Sequence, residues 1–181
     1  MTVAVLPDEF RWVHFDPSEI ASITEAMVTR LGLESVDVIV EVNDQTSNAI
    51  IELRELDPIR CYLESGSVED SRRLRCFSRG AATESIGRLL IEARDRRDPA
   101  FGAPDLQAGL DVSQRVVWDT YNVGRLVRLG GRDERPRRQY LFRSRFGFSD
   151  AVDLEFERLW GAEGLTFADL ADAASSSGGT S

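Results

Sequence analysis

The chain has 181 residues, is 42% hydrophobic and carries a formal charge of −9, which suits one domain with an adequate core. Its 22 basic residues are all Arg, beside a single His (His14) and two Cys (Cys61 and Cys76). That inventory excludes Schiff-base and P-loop uses of Lys, a two-His metal site, and a four-thiolate zinc or iron–sulfur site within one chain.

Charge is sorted along the chain. Residues 1–70 are net −11, 71–145 are net +8 and 146–181 are net −6, so a basic middle lies between two acidic ends. The apolar run Val3–Leu6 is too short for a signal peptide. Nothing approaches the roughly 18 apolar residues of a membrane span. A cytoplasmic, reducing location is therefore expected, with Cys61 and Cys76 read as small buried hydrophobes rather than a disulfide.

The first helix is announced by Asp16 as N-cap, Pro17 at N1 and Glu19 at N3, with Phe15 and Ile20 placed to staple it. Ile20, Ile23, Met27 and Leu31 recur on one face, and Gly32 is its stop. Val36, Val38, Val40 and Val42 then alternate with Asp37, Ile39, Glu41 and Asn43 as a period-two strand. A polar loop over 43–48 leads to a second strand near 50–55. Asp57-Pro58 interrupts the pattern before Ile59, Cys61 and Leu63 resume it. Two close connections predict a mainly antiparallel sheet over about 36–64.

Helices dominate from there. Ile86, Leu89, Leu90 and Ala93 place one over 81–96, ended by Asp98-Pro99. A Pro- and Gly-bearing linker through Gly109 precedes a long helix over 113–129, with Val116, Thr120, Val123 and Val127 on one face, joined by Val117, Tyr121 and Gly124. Residues 132–145 read as polar and basic, with a short extended piece over 139–143. Ser149 caps the next helix, which buries Val152, Phe156, Leu159 and Trp160. Thr166 and Asp169 form a capping box, stapled by Leu165 and Leu170, for a last helix ending near Ala174. The expectation is a single α+β domain over 1–174, helical in its C-terminal half, followed by a disordered polar tail over 175–181.

The most informative constellation is Arg-rich. Arg125, Arg128, Arg132, Arg135, Arg137, Arg138, Arg143 and Arg145 fall within 21 residues, with Tyr140, Phe142, Phe146 and Phe148 interleaved. Guanidinium forks bind carboxylate or phosphate bidentately, and aromatic faces desolvate such contacts or stack bases. The negative total charge argues against a nucleic-acid-binding domain. An acidic protein surface is therefore preferred as partner over nucleic acid, self-association stays open, and no membrane is expected. Intramolecular pairing with the acidic ends is the competing reading.

Other candidates are weaker. His14 has no identifiable catalytic companion. Glu69-Asp70 and Asp133-Glu134 read as solvated carboxylates, and Trp118 with Tyr121 reads as core packing. No dinucleotide fingerprint, nucleophile elbow or calcium loop occurs.

The order helix, strand, hairpin, strand, helix over 16–96 nevertheless resembles the minimal frame of zincin-like metallopeptidases, whose active helix carries H-E-x-x-H. In register, this chain has Thr83-Glu84-Ser85-Ile86-Gly87: the Glu matches, and Thr83 and Gly87 replace both ligand His residues. The resemblance implies a peptidase-like frame turned to binding, or a degenerate hydrolase without zinc. The preferred reading is a non-catalytic binding or assembly protein using 125–148, with no catalytic residue, metal or cofactor assigned.

Overall fold

A computed structural model of the chain describes residues 1–177. The fold is α+β, and the chain divides into two compact units, Met1–Arg97 and Asp98–Ser181. No helix among the described residues is long and apolar enough to cross a membrane.

The N-terminal unit is built from β1 (Val3–Leu6), α1 (Pro17–Leu31), β2 (Val38–Asn43), β3 (Ile51–Leu56), β4 (Ile59–Glu64), β5 (Glu69–Asp70), β6 (Arg73–Phe77) and α2 (Arg79–Arg97). The N-cap and the stop of α1 fall where the sequence places them. The Asp16 carboxylate accepts from the Ser18 N–H at 2.8 Å, and Gly32 closes the helix in the left-handed region at φ 68°. Its apolar stripe, including Ile20, Ile23, Met27 and Leu31, is buried.

The main sheet has the order β1-β2-β4-β3, with β1/β2 and β2/β4 parallel and β3/β4 antiparallel. This corrects the expected, mainly antiparallel sheet over 36–64: the sheet is mixed, and two of its three pairings are parallel. The reason lies in side chains. Val38, Val40 and Val42 of β2 and Ile59, Cys61 and Leu63 of β4 are all buried, whereas β3 buries only Leu53. Charged Glu52, Arg54 and Glu55 suit β3 to an edge. The 44–50 loop therefore carries the chain past the central position, which β4 fills. β1, a four-residue strand half-buried on the other edge, carries too little alternation to be read from sequence. α1 and α2 pack against each other and onto this sheet.

The C-terminal unit contains α3 (Val112–Arg128), α4 (Arg135–Phe146), α5 (Asp150–Gly161) and α6 (Phe167–Ser177). α3 opens on a reciprocal box between Asp111 and Gln114, α5 on Ser149, and α6 on the expected Thr166–Asp169 box. α3 runs through the middle, contacting α4, α5 and α6. It buries Val117, Trp118, Tyr121 and Val123 among Phe142, Phe156, Leu159 and Leu170. Gly124 lets α3 touch the backbone of α5, for a Cβ there would lie 2.3 Å from the Trp160 carbonyl oxygen.

Two further expectations are corrected. The extended piece over 139–143 is interior to α4. Arg138, Phe142 and Phe146, spaced by four, are its buried stripe, and one member of that stripe is charged, which hides the period. The last helix also continues past Ala174 to Ser177, so 175–177 of the expected disordered tail are helical. The Ser175 hydroxyl donates to the Ala171 carbonyl at 3.0 Å, and Ser176 bonds the Asp172 carbonyl likewise. The remainder of that tail, 178–181, lies outside the described residues.

Candidate binding surface

The Arg-rich segment spans the end of α3, the connection 129–134, and α4. Its members separate by what they touch. Arg125 is buried, with its guanidinium 3.9 Å over the Tyr121 ring. Arg128 reaches the end of α5, donating to the carbonyls of Trp160 at 2.6 Å and Ala162 at 2.7 Å and to Glu163 at 2.8 Å. These carbonyls are the acceptors a helix C-terminus leaves unsatisfied, so Arg128 acts as a long-range cap. Arg138 is buried, as is Phe142, whose ring packs against Phe146 and Phe156.

Arg143 grips Asp153 of α5 with two bonds of 2.7 and 2.6 Å. That bidentate contact, above all the hydrogen bonding itself, raises the pKa of Arg143 and holds the Asp153 carboxyl below the usual carboxylate range. Arg135 pairs with Glu157 of α5, and the bond raises its pKa likewise. Five of the eight guanidiniums therefore work inside the unit, tying α3 and α4 to α5 or filling core.

Three face outward with less compensation. Arg132 and Arg137, each about 70% exposed, share the single carboxylate of Glu134 at 3.8 and 3.2 Å. Among the described residues, Arg145 bonds a neutral partner alone, the Ser113 hydroxyl, at 2.9 and 2.6 Å. Between them on the outward stripe of α4 lie Tyr140 and Leu141, 63% and 42% exposed. Phe148, 70% exposed, meets the Tyr140 ring edge-on at 6.3 Å. The surface thus combines two exposed aromatic rings, packed edge to face, with three cations and one shared anion.

The remaining candidates take structural places. Trp118 and Tyr121 are core, and the Tyr121 hydroxyl accepts from the Leu165 N–H at 3.2 Å. Asp133 accepts from the Arg135 N–H at the start of α4. His14 is exposed, and its backbone N–H joins the Arg75 carbonyl at 3.0 Å. α2 starts at Arg79, so Glu84 lies in its second turn. The Thr83 hydroxyl bonds back to the Arg79 carbonyl, and Gly87 is buried. Among the described residues, no group of three or more His, Cys, Asp or Glu is placed to hold a metal ion. Both Cys are free thiols. Burial pushes the Cys61 thiol up to about 12.

Comparison of the chain with protein-family models, with curated proteins and with solved structures finds no match in any of the three.

Proposed function

We propose that this chain is a non-catalytic binding or assembly protein that engages an acidic protein surface through the outward stripe of α4. The observation that carries this reading is the solvent-exposed Tyr140–Phe148 pair beside Arg132, Arg137 and Arg145. Aromatic rings bury large area at little entropic cost, and Arg supplies directed bonds to carboxylates. Together they make the usual anchors of an interface. The contact surface is smaller than the 125–148 stretch that composition suggests, because the other five Arg are taken by the fold.

The C-terminal unit itself carries an acidic groove. Glu155, Asp169 and Asp172 line an open groove between α5 and α6, offset by Arg158 alone. Charge complementarity between that groove and the α4 stripe of a second copy makes self-association a specific version of the same proposal.

The test is a titration of fluorescein-labelled poly-L-glutamate and of single-stranded DNA, each at two salt concentrations, with sedimentation of the protein alone. The reading expects poly-L-glutamate to bind in a salt-sensitive manner. R132A/R137A/R145A should abolish that binding, and Y140A/F148A should weaken it without changing its salt dependence. DNA binding stronger than poly-L-glutamate binding would favour a nucleic-acid ligand instead. Absence of binding to either probe, together with a monomer in sedimentation, would overturn the proposal.

A further inference from the structure

The N-terminal unit contains a cavity of about 270 Å³ that owes nothing to the Arg-rich segment. β1, β2 and β4 run parallel, so their carboxyl ends lie at the same end of the sheet. That end is where ligands bind in open sheets of parallel strands. The cavity is lined by Trp12, which follows β1, by Asp44 and Thr46, which follow β2, by Glu69 of β5, and by Leu74 and Arg75 of β6. Its walls are fixed. The Asp44 carboxylate accepts from the N–H groups of Arg11 and Trp12 at 2.8 and 3.1 Å. The Ser65 N–H donates to the Thr46 carbonyl at 3.2 Å, and its hydroxyl donates to Glu69 at 2.6 Å. Gly66 lies so close to the loop that a Cβ would sit 2.1 Å from the Ser47 carbonyl oxygen.

Three features of this cavity bear on what it could hold. Arg75 holds a left-handed backbone, φ 61°, at the one non-glycine position among the described residues to do so. That conformation costs an ordinary L residue about 1 kcal/mol or more and gathers at binding sites. The Arg75 N–H and carbonyl are both used, by Glu69 and His14. Among the described residues its guanidinium makes no ion pair, although Asp44 and Glu69 line the same cavity. Finally, the Thr46 hydroxyl oxygen is buried and has no hydrogen-bond partner among the described residues, a cost that native structures seldom carry without a reason. Beside these polar groups stand Trp12, 56% exposed, and Leu74, 87% exposed.

Separated charges of both signs beside an apolar wall match one class of small molecule. We propose that this cavity binds a free α-amino acid with an aliphatic or aromatic side chain. Its carboxylate meets the Arg75 fork, its ammonium faces Asp44 and Glu69, and its side chain lies on Trp12 and Leu74. Thr46 completes its hydrogen bonding in the complex. The volume suits a ligand of this size and falls below the range of drug-sized sites.

Calorimetric titration of the full chain with L-leucine and L-phenylalanine, and with leucinamide and N-acetyl-leucine as singly charged controls, decides the matter. The amino acids should bind saturably, and each control should bind at least about 10-fold more weakly, since each forfeits one charge-assisted contact. Arg75→Gln should weaken leucine about 10-fold or more and leave leucinamide unchanged. Thr46→Val keeps the shape and should weaken leucine severalfold with no loss of thermal stability. Arg75→Gly should relieve the backbone and raise thermal stability while abolishing leucine binding. Lack of saturable binding by either amino acid would overturn the proposal. So would leucinamide binding as well as leucine, or Arg75→Gln binding leucine like the parent chain.

Discussion

A single methyl group at Gly124 tests how the C-terminal unit is packed. In an open helix, Gly→Ala stabilises by up to about 1 kcal/mol, because Gly has more backbone entropy to lose. In α3 the sign should reverse. A Cβ at 124 would lie 2.3 Å from the Trp160 carbonyl oxygen, 3.0 Å from its carbon and 3.1 Å from its Cα. Ordinary carbon–oxygen contacts begin near about 3.3 Å, so α3 and α5 must part by roughly 1 Å. The obstacle is backbone, and no rotamer change relieves it. Parting the helices also loosens Val117, Tyr121 and Val123 from Phe156 and Leu159, all close to fully buried.

Overpacking of this kind costs about 1–3 kcal/mol, and a backbone obstacle belongs at the upper end. Subtracting the helix-propensity gain leaves a net loss of about 2 kcal/mol, or roughly 4–8 °C in Tm for a chain of this length. Urea unfolding followed by tryptophan fluorescence reads it directly, since Trp118 and Trp160 lie in that core. Gly80→Ala in α2, where a Cβ meets nothing within 4 Å, is the control and should be neutral or mildly stabilising. A Gly124→Ala protein as stable as the parent would refute the packing of α3 on α5.

Four further outcomes can be checked. Arg128→Ala should cost about 2 kcal/mol, since two charge-assisted bonds to the end of α5 are lost. Arg137→Ala, which loses an exposed pair with Glu134, should stay within about 0.5 kcal/mol in the same unfolding assay. Asp16, Asp153 and Asp169 have pKa values lowered by their hydrogen bonds, to Ser18, Arg143 and Thr166 respectively. Each therefore contributes stability that is present above the unfolded value, about 4, and is lost as pH falls through the lower folded value. Asp153→Asn should flatten the fall of Tm below about pH 4 while leaving a small residual slope from the other two. Towards a thiol reagent at neutral pH, half-buried Cys76 should label in the native protein, and Cys61, buried and held protonated, should label only on unfolding.

Local signals made most elements legible. Asp16-Pro17, Ser149 and the Thr166–Asp169 box mark helix starts because capping is decided by neighbours one turn apart. The Val38–Val40–Val42 alternation marks a strand for a similarly local reason. Strand order was not legible. Whether β3 or β4 lies beside β2 depends on which is apolar enough for the centre, and β1 joins the sheet through a partner 35 positions away at Val38.

The Arg-rich segment was visible as composition, but its division was not. Arg143 meets Asp153 ten residues on, Arg135 meets Glu157 across 22, and Arg128 reaches Glu163 across 35. These distances in sequence become contacts only when α3, α4 and α5 pack. The same holds for the cavity of the N-terminal unit. Its lining comes from separate segments between Trp12 and Arg75, none of which carries a motif.

The division of guanidiniums into structural and available ones can be measured in one experiment. Arg-directed dicarbonyl labelling of the native protein, quantified peptide by peptide by mass spectrometry, should modify Arg132, Arg137 and Arg145 quickly. Arg125, Arg128, Arg138 and Arg143 should be modified slowly. Comparable rates at Arg128, Arg143 and Arg137 would contradict the account, because the fold would then leave free the side chains assigned here to holding it together.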